Sequence, residues 1–215
     1  MRHIPFLGIL LALSMIRPAP SGAAGVNVEG RVVELPAPPG MKPWGRLHDG
    51  PKDVMLGRYA ADSTVASWQK RGSPGSIPRF ALASESPRAN RDETTAAAEI
   101  DHRRATTLGT ADGAAMRAWA RALQSGREGR AGRIPYAPEG LLRIERIEDI
   151  SGAFIELQHL REGQDKSAIA SALVLVRGRV IALDVIQSNP TDCRELATLR
   201  AAIVEWVRSV QAANR

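Results

Sequence analysis

An α+β fold is predicted, an antiparallel β-meander covered by an amphipathic C-terminal helix and by a helical middle segment. Three observations predict it. Leu196, Leu199, Ile203, Trp206, Val207 and Val210 recur at steps of three and four, which makes one broad apolar stripe on a helix of about 22 residues. Upstream, residues 141–186 break into short apolar or alternating runs separated by glycine-bearing turns. Between them and the N-terminal strands lies an alanine-rich stretch with helical spacing. A stripe and a sheet that each need a cover are satisfied together when the helix lies across the strands. Six large side chains buried in this way contribute roughly 1.5–3 kcal/mol each before chain entropy is charged.

The chain opens with Met1-Arg2-His3, an apolar run from Ile4 to Ile16 interrupted by Pro5 and Ser14, and the small residues Ser21-Gly22-Ala23-Ala24-Gly25. Residues 1–24 therefore read as a secretory signal peptide, with cleavage after Ala23 or Ala24. The apolar run falls short of the ~20 residues of a membrane-spanning helix. No cysteine follows it, so no lipid anchor is expected. Its removal takes away Arg2 and Arg17 and lowers the formal charge from +6 to +4. The expected product is periplasmic or secreted, a single domain over 25–215 without a transmembrane segment.

Residues 26–36 offer one short alternating strand with Val32, Val33 and Leu35, closed by the proline run that starts at Pro36. Residues 40–78 are rich in glycine and proline and are expected to be flexible, with short strands near 54–59 and 65–68. Arg79 to Ser84 reads as a further strand, stopped at Ser86-Pro87. Arg91 to Leu108 reads as a helix with Asp92 and Glu93 at its anion-favouring start. A second helix follows from a Thr110 cap, with Ala115, Met116, Trp119, Ala122 and Leu123 on one face to about Gln124. Gly126, Gly129 and Gly132 interleave with Arg127, Arg130 and Arg133 in what reads as a basic loop.

The meander is expected to run through 141–150, 153–161, 167–176 and 179–186. In its second strand Phe154, Glu156, Gln158 and Leu160 take one face, and Ile155, Leu157 and His159 the other. Arg177-Gly178 between two apolar runs is a hairpin signal, because tight hairpin turns need positive φ. Asp184 alternates with Leu183 and Val185 and is expected to face solvent. Asn189-Pro190-Thr191-Asp192 then begins the last helix, with Asn189 read as its cap.

Two stretches carry a likeness. Val32 to Met41 (VVELPAPPGM) resembles the strand, proline-rich turn and Pro-Gly opening of small exported bacterial proteins. Leu173 to Ile186, with Arg177-Gly178-Arg179 as its turn, and the helix holding Glu205-Trp206-Val207 resemble their closing hairpin and helix. The order of elements is similar to the PsbP/Mog1-like α/β/α sandwich. That resemblance implies a non-enzymatic module used in assembly or binding, and it brings no functional residue set with it.

The chemistry in the sequence is sparse. The lone thiol, Cys193, excludes an internal disulfide and a multi-cysteine zinc site, and is expected to be packed and inert. His48, His102 and His159 stand in no metal-binding spacing and read as surface or hydrogen-bonded structural histidines. No nucleophile elbow and no glycine-rich phosphate loop occur, so no catalytic residue, metal or other cofactor is assigned. Arginine supplies 25 of the 29 cations, and Arg117 to Arg146 holds seven arginines against Glu128, Glu139 and Glu145. Arg117, Arg121, Arg130 and Arg133 are the candidate anion-binding residues, since the guanidinium fork suits phosphate and carboxylate. Nucleic acid is not expected outside the cytoplasm. The sequence points to a non-enzymatic binding or accessory protein of the cell envelope, with an unknown envelope protein or an anionic surface as partner. The alternatives are a hydrolase of an envelope polymer and a protein that docks to anionic membranes through its arginines.

Overall fold

In the computed structural model the described residues are 24–43, 64–70, 79–85, 113–136, 139–147 and 150–215, with positions 94, 97, 98 and 100–102. The strand expected at 54–59, the Thr110 cap, His48 and residues 1–23 lie outside them. Nine strands are named, β1 (Ala24–Val28), β2 (Arg31–Leu35), β3 (Lys42–Pro43), β4 (Thr64–Lys70), β5 (Arg79–Glu85), β6 (Gly140–Ile147), β7 (Ala153–Glu162), β8 (Asp165–Val176) and β9 (Arg179–Ser188). With them stand α1 (Gly113–Arg127), α2 (Cys193–Ala213) and the helical positions 94, 97, 98 and 100–102.

The expected meander is β6 to β9, each strand antiparallel to the next. Beyond β9 the sheet continues through β5, β4 and β3, giving seven strands in the order β3-β4-β5-β9-β8-β7-β6. The short strand expected near 65–68 is β4, and Lys42–Pro43, from the stretch read as flexible, is a further strand at the sheet edge. The single strand expected over 26–36 is instead a hairpin, β1 paired with β2. Its two-residue turn, Glu29-Gly30, has positive φ at both positions, as does Arg177-Gly178 between β8 and β9. This backbone matches the twist of the flanking strands. Glu29 and Arg177 take the same positive-φ position, one that favours glycine.

Alternation sorts the sheet into two faces. On the first, Ile155 and Leu157 of β7, Ala170, Ala172 and Val174 of β8, Ile181, Leu183 and Val185 of β9, and Ala81 and Ala83 of β5 are buried together. α2 lies on this face, with Leu196, Leu199, Ile203, Trp206, Val207 and Val210 all buried. Trp206 meets Trp68 of β4 edge-on, ring centroids 5.2 Å apart, and its indole N–H donates to the Pro36 carbonyl at 2.8 Å. The proposed cover of sheet by stripe is therefore present, and Trp206 ties it to the N-terminal hairpin.

α2 starts later than the sequence suggests. Asp192, not Asn189, is its cap: the Asp192 side chain accepts from Arg194 N at 2.8 Å, and Glu195 reaches back to Asp192 N at 3.2 Å. Together these form a capping box. Asn189 has φ of 45° and ends β9, its N–H donating to the Lys166 carbonyl at 2.7 Å.

α1 packs against α2 at an unusually close crossing. A Cβ on Gly126 would sit 2.0 Å from the Cys193 carbonyl oxygen, so the helix interior tolerates only glycine there. Gly126 therefore belongs to α1 rather than to the loop. Glu145 of β6 joins both helices to the sheet edge, accepting from Arg127 of α1 and, at 3.1 Å, from Arg200 of α2. Asn214, just past α2, holds β2 as a neighbouring strand would. Its side chain accepts from Glu34 N at 2.9 Å and donates to Glu34 O at 2.8 Å.

Candidate functional site

The second face of the sheet is chemically unlike the first. Its register aligns one row across five strands: Arg146 of β6, Glu156 of β7, Ser171 of β8, Asp184 of β9 and Leu82 of β5. The adjacent row holds Phe154, Leu173, Ala182 and Ser84. Ile100, from the helical positions 100–102, is buried against Phe154 and Val180 on this face.

A recess of about 180 Å³ opens between these rows, lined by Phe154, Glu156, Gln158, Ser171, Leu173, Ala182 and Asp184. Asp184 is recessed rather than solvent-facing, which corrects the sequence expectation. The Ser171 hydroxyl donates to its Oδ1 at 2.6 Å. Burial pushes the Asp184 carboxyl up to about 6, the Ser171 hydrogen bond pulls it back, and the negative charge of Glu156 adds to the rise. Glu156 is only 6% exposed. One of its oxygens accepts from the Gln158 amide, while Oε2 takes no hydrogen bond and has Arg143 Nε 3.5 Å away. Arg146 lies over the Phe154 ring, 5.5 Å from its centroid. Alternation had separated Glu156 and Gln158 from His159; the cross-strand pairing that brings Asp184 beside them is not readable from one strand.

His159 sits on the first face, 2% exposed, its ring 4.8 Å from that of Trp119 on α1. It is a core histidine, but not a hydrogen-bonded one at Nδ1, and the Trp119 indole N–H is likewise without a partner. Burial lowers its pKa to about 4, with Lys166 and Arg161 adding to the effect. His102 is exposed. Cys193 is buried against the 132–133 backbone, and burial raises its thiol pKa. Among the described residues no group of three or more His, Cys, Asp and Glu is arranged to hold a metal ion.

The arginine window divides. Arg117 and Arg121 are exposed one turn apart on α1. Arg130 pairs with Glu128, and the Arg133 backbone bridges to Asp192. Arg143 and Arg146 belong to the second sheet face, with Glu156 and Phe154. The seven therefore form no single surface. Among the described residues no helix is long and apolar enough to cross a membrane.

No family model matches the chain. No curated protein matches it either. Among solved structures it is similar to the protein of unknown function PA94 from Pseudomonas aeruginosa. The two share 11% identity over 88% of this chain and 94% of that one, at a TM-score of 0.36.

Proposed function

We propose that the chain is an exported, non-enzymatic binding or accessory module of the cell envelope, built on a PsbP/Mog1-like α/β/α plan. The observation that carries this reading is the recess on the second sheet face. Charged and hydrogen-bonding groups are fixed there on three adjacent strands of a rigid sheet, the arrangement that favours selective capture of a small polar ligand. Ile100 packed on that face, opposite α2, supports the layered plan. Cleavage after Ala23 leaves β1 whole, whereas cleavage after Ala24 removes the residue paired with Leu35.

Export is tested by expressing the full chain in a Gram-negative host, fractionating the cells and weighing the intact product. A periplasmic or secreted protein that has lost residues 1–23 or 1–24 is the expected result. A full-length cytoplasmic product would overturn the reading.

A hydrolase acting on an envelope polymer is the second reading, and one observation favours it. Asp184 keeps its proton up to about pH 6 beside a second carboxylate, as a general acid requires. Release of soluble fragments from purified cell wall, abolished by both Asp184→Asn and Glu156→Gln, would establish it. No release by the native protein would remove it.

A further inference from the structure

We infer that a groove between the β8–β9 turn and the end of α2 binds a phosphate-type oxyanion. Arg177 of the turn lines one wall, and Arg208 and Arg215, from the last turns of α2 and just beyond it, line the other. Leu175 and Ala212 give the groove its apolar part. Its volume of about 730 Å³ lies within the range of roughly 300–1,000 Å³ of small-ligand sites.

The way these guanidiniums are held is the first reason. Arg177 donates to the Val32 carbonyl at 2.8 Å, and Arg31 donates in return to the Arg177 carbonyl. Arg179 donates to the carbonyls of Glu29 and Gly178. Carbonyl dipoles fix a guanidinium without cancelling its charge. Elsewhere Arg127, Arg130, Arg143, Arg161, Arg194 and Arg200 each face a carboxylate. Among the described residues Arg177 and Arg215 do not, and most of the Arg177 fork remains unspent.

The helix end is the competing influence. Its last carbonyls carry partial negative charge, which repels an anion. Arg208 and Arg215 offset that charge, with Glu205 one turn before Arg208 as the closest acid along α2. Arg177 is additional to this match, because it comes from another element. It also holds a φ of 48°, where glycine would be more at ease, so its guanidinium stands there against the local backbone preference. Guanidinium forks on two walls suit a tetrahedral oxyanion, whose oxygens point several ways, better than a planar carboxylate. A lipid headgroup and a free phosphate both carry that chemistry.

This inference goes beyond the binding-module reading, at a site apart from the recess, and its test is independent of export. The full chain is titrated at constant ionic strength with inorganic phosphate, with dihexanoylphosphatidylglycerol below its micellar concentration, and with glycerol as the uncharged control. The Nε–H resonances of Arg177 and Arg215 and the methyls of Leu175 and Ala212 are followed by NMR. At least one of the two phosphates is expected to saturate at these residues, and glycerol is not. Affinity for inorganic phosphate equal to or above that for the lipid identifies a free phosphate; tighter binding of the lipid identifies a headgroup. Arg177→Asn removes the guanidinium while asparagine suits the left-handed backbone, and should weaken binding roughly tenfold, the margin of one charge-assisted contact. Arg215→Gln should act in the same direction. The double variant Arg117→Gln/Arg121→Gln removes two exposed arginines of α1 and should leave the affinity within about twofold, since those charges belong to another surface. No saturable response to either phosphate, an equal response to glycerol, or a loss in the α1 double variant as large as in Arg177→Asn would overturn the assignment. Should Arg177→Asn fail to fold, Arg215→Gln set against the α1 double variant still decides it. An exported protein that ignores both phosphates sinks this inference alone; a cytoplasmic protein that binds one sinks the envelope reading alone.

Discussion

The two faces of the seven-stranded sheet are made from the same strands and do opposite things. Under α2, alternate residues of β7, β8 and β9 are, but for His159, alanine, valine, isoleucine and leucine, closed off by Trp206 and Ile203. On the other side the same strands supply Glu156, Ser171 and Asp184 in register. One face is organised for burial. The other keeps Asp184 where desolvation penalises its charge. The difference teaches that strand alternation assigns side chains to sides, while long-range pairing decides what each side becomes.

The comparison can be broken most forcefully at Trp206. Trp206→Ala removes a fully buried ring, its contact with Trp68 and its hydrogen bond to Pro36, and should cost about 4–5 kcal/mol in denaturant unfolding. A loss near 1 kcal/mol would mean that the first face is not the main core.

Gly126→Ala tests the same face from the helix crossing. The added methyl meets main-chain atoms that cannot swing aside, so a loss of about 3 kcal/mol is expected. On an isolated helix the same change stabilises. A neutral or stabilising result in the protein would show that α1 does not approach α2 so closely.

The second face should respond with the opposite sign. Asp184 has a folded-state pKa near 6, raised above the ordinary 3.8. Between those values the unfolded chain ionises first, so stability falls as pH rises from about 4 to 6 and stays lowered above. Asp184→Asn should therefore gain about 1–3 kcal/mol at pH 7 and much less at pH 4. His159 runs the other way. Its pKa drops from 6.5 to about 4 on folding, so stability falls as pH falls through that window. His159→Gln should flatten the fall in melting temperature between pH 7 and pH 5, whatever its packing cost. If both variants shift stability equally at all pH values, the faces do not differ electrostatically as described.

Much of the fold was legible where local chemistry and tertiary role coincide. The α2 stripe and the Arg177-Gly178 turn are both local, and the chain uses both as written. The β1–β2 turn escaped notice because its first strand is only five residues long and overlaps the stretch read as a leader, whereas Arg177-Gly178, with the same backbone, lies between two long apolar runs. The start of α2 was misplaced because Asn189 offers a cap-like residue yet takes a left-handed turn that closes β9. The recess was half legible. Alternation put Glu156 and Gln158 on one side of β7, but nothing local to β9 says that Asp184 faces Ser171 and Glu156. Nor does any local signal announce that β5 joins β9, some hundred residues later in the chain.

The Asn214 amide makes two main-chain bonds to Glu34, 180 positions earlier. β2 precedes the seven-stranded sheet in the chain and Asn214 follows α2, so this latch joins segments that the whole sheet separates. Without it the Glu34 backbone presents an open seam, the kind of edge that recruits other chains. Loss of the Asn214 amide alone would leave the α2 stripe intact and the first hairpin unfastened.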